Sequence, residues 1–128
     1  MDKRDLRIDD WVNVEVNIQT HEMQPMQVKE ILSHCIKTKY SLNQDPQFEH
    51  LHPIEITEDF LNKISRYNRD GIWFINVDAA IKREGRFWNL SIVNDVNDYE
   101  KRISYVHQLQ HELWDAGENI NIECYESK

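Results

Sequence analysis

The chain has 128 residues and a formal net charge of −8, with 40% hydrophobic and 30% charged residues. This length suits one domain with its own core, and this composition argues against disorder. The acidic balance repels phosphates and so disfavours general binding to nucleic acid, whereas it suits a protein partner with a basic surface.

The N-terminal residues and the cysteines indicate the compartment. The opening MDKRDLRIDD lacks the apolar run of a signal peptide. No stretch of the sequence reaches the roughly 18 apolar residues of a membrane span. Cys35 and Cys124 form no CxxC pair, so we expect two buried, reduced thiols. These features predict a cytoplasmic protein.

Residues 1–53 are predicted to be mainly β. The stretch WVNVEVNI alternates apolar and polar residues, which predicts a strand with Val12, Val14 and Val16 on its buried face. The segment 26–40 has apolar residues at helical spacing but would also fit two strands. Periodicity alone leaves both structures open for that segment.

The middle of the chain is predicted to form a helix and then a hairpin. The helix covers 57–68, because Thr57 is a suitable N-cap and two acidic residues follow it. The hairpin covers 72–94 with a turn at REGR, and its alternation places Ile75 and Val77 in the core. The next stretch, NDVNDYEKR, is predicted to be a solvated loop.

The last part of the chain is predicted to hold a second helix over 105–117 and a short strand over 119–125. Val106, Leu109 and Leu113 recur at i, i+3 and i+7, which predicts a stripe that packs against the sheet. A glycine follows as the C-terminal cap. Together the elements predict a single α+β domain that covers residues 1–128.

Three stretches of this chain resemble an uncharacterised family of small phage and mobile-element proteins of gut bacteria. They are DLRIDDWV, HPIEITEDFL and YVHQLQHELWDAGENINIE, in the family's order. The resemblance implies a small antiparallel SH3-like barrel or bent sheet with two short helices, and two strands within 26–40. It also implies a phage or prophage context. The chain departs from the family at Asp9-Asp10, where Gly-Asn is frequent, and at His111, where Asn is usual.

Two histidine pairs are the candidates for a metal or ligand site. His107 and His111 lie four residues apart on a predicted helix, and His50 and His52 would share one face of a strand. A zinc protease helix would read HExxH, but Gln108 stands where that glutamate belongs. We therefore predict no metal and no cofactor. A site that joins both pairs stays as the alternative.

The sequence contains no P-loop, GxGxxG or GxSxG motif. Together with the small size, the acidic charge and the phage context that the resemblance implies, this absence predicts a non-catalytic protein that binds a host or phage protein, with inhibition of a host defence protein as the sharpest form. The candidate contact residues on the last helix are Tyr105, His107, Gln108 and His111. The alternative is a metal- or small-ligand-binding protein, or an enzyme, that uses the histidines. Nucleic acid stays disfavoured despite a local basic patch at the hairpin turn: Lys82, Arg83 and Arg86.

Overall fold

The computed structural model describes residues 1–38 and 45–118. The chain divides into two compact units, Met1–Ile54 and a second unit that begins at Glu55, and each unit contains one antiparallel sheet. The predicted α+β class is confirmed. The described strands form open sheets and not a closed barrel. The prediction of a single domain stays a prediction.

The first unit is built on a four-stranded sheet with the strand order β3-β2-β1-β4. Its strands are β1 (Trp11–Asn17), β2 (Glu22–Ile31), β3 (Ile36–Thr38) and β4 (Leu51–His52). Short 3-10 helices cover Lys3–Asp5 and Phe48–His50. The segment 26–40 therefore contributes to two strands, as the resemblance implied. The buried core of this unit includes Leu6, Val12, Val14, Met26, Val28, Ile36 and Leu51.

Strand β1 leaves this core before it ends. Val12 and Val14 are fully buried, as predicted, whereas Val16 is 40% exposed. The register between β1 and β2 shifts between Glu15 and Asn17, and β4 pairs with β1 at Val14 and the residue before it. The prediction that Val16 is buried is therefore wrong. The face of β1 that carries Val12 and Val14 extends to Val16, but Val16 lies beyond the buried core.

The second unit is built on a five-stranded sheet with the order β5-β6-β7-β8-β9, so β5 and β9 are its edges. The elements are α1 (Glu58–Ile64), β5 (Tyr67–Arg69), β6 (Ile72–Phe74), β7 (Ala79–Glu84), β8 (Phe87–Val93), β9 (Asp98–Ile103) and α2 (Val106–Asp115). Apolar side chains of the central strands are buried, including Trp73, Ile81, Trp88, Leu90 and Ile92. The prediction of a solvated loop after the hairpin is wrong for the second half of NDVNDYEKR. That half forms β9 and pairs with β8.

Helix α1 starts as predicted and ends early. The Thr57 side chain accepts a hydrogen bond from the Phe60 backbone N–H at 3.1 Å, which caps the helix. The helix stops at Ile64, whereas the prediction extended it to residue 68. Tyr67 instead pairs with Phe74 across β5 and β6, and their rings stack at 4.8 Å. Cross-strand aromatic packing therefore overrides helical periodicity at this position.

The predicted hairpin over 72–94 consists of three strands. Strands β7 and β8 form the hairpin itself and turn at Gly85, which has a φ of 62°. Strand β6 pairs separately with β7, because the chain reverses between Ile75 and Ala79. Ile75 is buried as predicted. Val77 lies at the tip of that reversal and is 87% exposed, so the prediction that it is buried is wrong.

Helix α2 agrees closely with the predicted helix over 105–117. Its predicted stripe of Val106, Leu109 and Leu113 is buried. Gly117 has a φ of 80° and donates its N–H to the carbonyl of Trp114, so it ends the helix as predicted. The predicted strand over 119–125 lies outside the described residues.

Within the described residues, neither α-helix has the length and apolar character that a membrane span requires.

Candidate functional site

The start of α2 holds two of the predicted contact residues. The Gln108 side-chain oxygen accepts hydrogen bonds from the backbone N–H groups of Ser104 and Tyr105, at 2.8 and 3.1 Å. These bonds satisfy donors at the helix N-terminus, as the glutamine of a capping box does. Gln108 therefore has a structural role, and Tyr105 is held in a fixed position at the N-cap.

The other predicted contact residues belong to a row of rings along α2. The Tyr105 and His107 rings are stacked at 5.9 Å, and the His107 and His111 rings meet edge to face at 5.6 Å. The row continues to Trp114, whose ring lies 6.0 Å from His111. His107 is buried, whereas the other three rings are partly exposed. The structure therefore brings Tyr105, His107 and His111 together, with Trp114 as an unpredicted member.

A charged groove of about 540 Å³ borders Tyr105. Arg83 lies over the Trp88 ring at 5.2 Å and donates from Nε to the Gly85 carbonyl at 3.2 Å. Arg86 also lines the groove, as do the acidic residues in the first turn of α1. Because both charge signs meet here, the groove suits a ligand that carries both and disfavours a polyphosphate.

The predicted basic patch does not form one surface. Lys82 and Arg83 are neighbours in β7, so their side chains leave opposite faces of the sheet. Lys82 lies 3.5 Å from the Glu84 carboxylate, which offsets its charge. Arg83 instead packs on Trp88. The hairpin therefore presents its cations singly and gives no continuous track for a phosphate backbone.

In the first unit, three histidines surround one carboxylate. His52 Nε2 lies 2.6 Å from Oε1 of Glu15. His50 Nδ1 and His21 Nδ1 lie 3.4 and 3.7 Å from its Oε2. The Glu15 side chain is 9% exposed, and the hydrogen bond from His52 holds the pKa of this carboxyl below its usual range. The HLH pair thus shares a carboxylate partner, although His50 lies in a 3-10 helix and only His52 lies in a strand.

The two histidine pairs lie in different units, His50 and His52 in the first and His107 and His111 in the second. In residues 1–38 and 45–118, no group of three or more His, Cys, Asp or Glu side chains is arranged to hold a metal ion. Cys35 is a free, half-buried thiol, and Cys124 lies outside the described residues.

A second surface of the second unit exposes valines, and sequence reasoning missed it. Loops 75–78 and 94–97, which we call the loop pair, present Val77 and Val96 at 87% and 86% exposure. Val93, at the end of β8, is 57% exposed, and its N–H donates to the Asp78 carbonyl at 2.9 Å. Three large apolar side chains are therefore open to solvent on and beside the loop pair.

Asparagine side chains fix the shape of the loop pair. The Asn76 side-chain oxygen accepts from the Asp78 N–H at 2.9 Å. The Asn94 oxygen accepts from the N–H groups of Val96 and Asn97, at 3.0 and 2.7 Å. These Asx turns hold each valine at a loop tip. The sequence signal was an asparagine one or two residues before each valine.

Residues that follow α2, Ala116 and Glu118, tie the two loops together. The Nδ2 groups of Asn76 and Asn94 donate to the two oxygens of the Glu118 carboxylate, at 3.1 and 3.2 Å. Asn94 also donates to the Ala116 carbonyl at 3.1 Å. Desolvation and the carboxylates of Glu118 and Asp95 raise the pKa of Asp78. The loop pair is therefore a well-ordered and locally acidic surface.

Comparisons of the chain with protein-family models, with curated proteins and with solved structures found no match.

Proposed function

We propose that this protein is a non-catalytic binding protein that acts on a protein partner in the cytoplasm. The observation that carries the proposal is the loop pair, where Val77 and Val96 are almost fully exposed on loops held by side-chain hydrogen bonds. Exposing apolar side chains costs free energy in water, and a partner that covers them recovers it. Because the loops are already ordered, little conformational entropy is lost on binding.

The residues predicted on α2 offer a second contact region. Tyr105 borders the charged groove, and the ring of His111 is partly exposed. Partly exposed aromatic rings on a rigid helix are good anchors for a partner. Gln108 and His107 support this surface from within, one as a cap and the other as a buried ring.

The phage or prophage context comes from the resemblance of the three sequence stretches. With a net charge of −8, such a protein would suit a host or phage partner that has a basic surface. We therefore propose inhibition of a host defence protein as the sharpest form of this function. Occupation of the partner's surface would be sufficient for inhibition.

The test compares three forms of the full chain as bait in lysate from a gut bacterium. These are the natural protein, the double variant Val77→Ser/Val96→Ser, and the control Val16→Ser, which changes an exposed valine of the first unit. A protein recovered by the natural chain and the control, and then purified, should bind the double variant about tenfold or more weakly. Equal affinity for all three forms would contradict the proposal.

Ligand binding through histidines is the second candidate function, because three histidines approach the Glu15 carboxylate, although the described side chains are not arranged as a metal cluster. Imidazole nitrogens and a carboxylate are donors that Zn²⁺ accepts. Calorimetric titration of the full chain with Zn²⁺ tests this candidate, with His34→Ala as the control and His52→Ala as the variant. Binding at one equivalent that His52→Ala abolishes would place this function first.

A further inference from the structure

The loop pair lies in a part of the second unit where acidic residues dominate. Segments 72–81, 87–100 and 112–118 contain several Asp and Glu residues and no Lys or Arg. Lys101, the next cation along the chain, forms an ion pair with Glu112. The exposed valines therefore lie in segments whose own charged residues are all acidic.

The carboxylates lie close to the valines and to each other. Asp78 and Asp95 are direct neighbours of Val77 and Val96 in the sequence, and Asp98 pairs with Val93 across β8 and β9. Desolvation, followed by the hydrogen bond and charge of Glu118 and the charge of Asp95, raises the pKa of Asp78. An apolar centre with a carboxylate rim is the chemistry of this surface.

Resting on the proposed function, we infer that the loop pair binds a protein surface with an apolar recess flanked by lysine or arginine side chains. The valines would fill the recess, while Asp95 and Asp98 would pair with the flanking cations. Charge complementarity of this kind speeds encounter and rejects wrong partners. An anionic membrane or a nucleic acid would meet like charge at the rim, and so would a second copy of this chain.

The experiment selects random cyclic peptides on the immobilised full chain, and enriched peptides are sequenced and their affinities measured. We expect them to combine apolar residues with several Lys or Arg residues. The rim variant Asp95→Asn/Asp98→Asn should bind these peptides with an affinity about fivefold or more lower at low salt. The matched control is Asp70→Asn, an exposed acidic residue in the turn between β5 and β6, and it should leave the affinity unchanged.

The outcomes separate this inference from the proposed function. A contrary result would be peptides that bind the Val77→Ser/Val96→Ser variant more weakly but bind the rim variant as tightly as the natural chain. This result would overturn the inference that the partner is basic, and it would leave the proposal of protein binding intact. The inference would be overturned if the natural chain enriched only peptides that the Val77→Ser/Val96→Ser variant also enriches. Valine-dependent dimerisation in sedimentation, or valine-dependent binding to phosphatidylserine vesicles, would overturn it as well. Thermal unfolding of each variant confirms that it is folded.

Discussion

The two ends of strands β7 and β8 are built in different ways. At one end the strands join directly through a tight turn at Gly85. At the other end each strand is joined to a loop, and both loops are held by Glu118, which follows α2 in the chain. The first end depends on residues that are adjacent in the chain. The second depends on hydrogen bonds that span up to 42 residues.

The two ends also differ in charge. Arg83 and Arg86 lie at the hairpin turn and line a groove that contains acidic side chains too. The loop pair carries valines and carboxylates. One sheet therefore presents a mixed-charge groove at one end and an apolar and acidic surface at the other. Hydrogen bonds between residues far apart in the chain support the loops that expose Val77 and Val96 to solvent. The two-residue turn at Gly85 does not provide such support.

The largest effect should come from the buried stripe of α2. Leu109 of α2 is fully buried, so Leu109→Ala should lower the free energy of unfolding by about 2–5 kcal/mol. Urea unfolding measures this change. The control is Ile18→Ala, an exposed aliphatic residue, which should cost less than about 0.5 kcal/mol. Equal effects of the two variants would show that α2 does not support the fold as described.

Asn94→Ala should break the loop pair and leave the hairpin turn intact. The change removes the acceptor for two backbone N–H groups and the donor to Glu118 and Ala116. We expect a loss of about 1–3 kcal/mol, since half-buried polar groups lose their partners. Hydrogen exchange should speed up at the amides of Val96 and Asn97. Unchanged exchange there would contradict the role given to Asn94.

Gly85→Ala is the complementary change at the other end. Gly85 has a φ of 62°, and an added Cβ would meet no atom within 4 Å, so the cost is confined to the backbone. We expect a loss of about 1–2 kcal/mol. Peptide binding by the loop pair should be unaffected. A binding defect in this variant would show that the two ends are coupled.

The smallest effect should be a pH dependence from Asp78. Its pKa is raised above 3.8 in the folded state, so its contribution to stability is complete below that value. The contribution is lost as the pH rises through the raised pKa. Urea unfolding across acidic pH should show this loss, and Asp78→Asn should remove it. The same pH slope in both proteins would contradict the assignment. Glu15 should act with the opposite sign, because its pKa is lowered.

Local sequence patterns predicted those elements whose cause is local. The Thr57 cap, the turn at Gly85 and the buried stripe of α2 all follow from residues within a few positions of each other. The prediction failed where partners are distant in the chain. Tyr67 was predicted in a helix but stacks on Phe74 in a strand pair. Val77 was predicted in a strand but lies in a chain reversal that a hydrogen bond to the Ala79 carbonyl closes.

The candidate sites show the same limit. The sequence identified His50 and His52 as a pair, but Glu15 and His21 joined them only through the folding of β1 and β2. His107 and His111 were predicted together because their i, i+4 spacing is local, whereas the contact between the Tyr105 and His107 rings was not predicted, since residues two apart do not normally share a helix face. The hydrogen bonds that join the two loops run from Asn76 and Asn94 to Glu118, 42 and 24 residues away, so no periodicity could reveal this arrangement.

The edges of the second sheet have a consequence for behaviour at high concentration. Strand β5 is only three residues long, and β9 carries four charged residues in DYEKRI. Short and charged edges resist the strand-to-strand pairing that leads to aggregation. Such protection matters most for a protein that also keeps valines exposed. We expect the chain to tolerate its exposed valines without forming fibrils, because the edge strands of this sheet are short or charged.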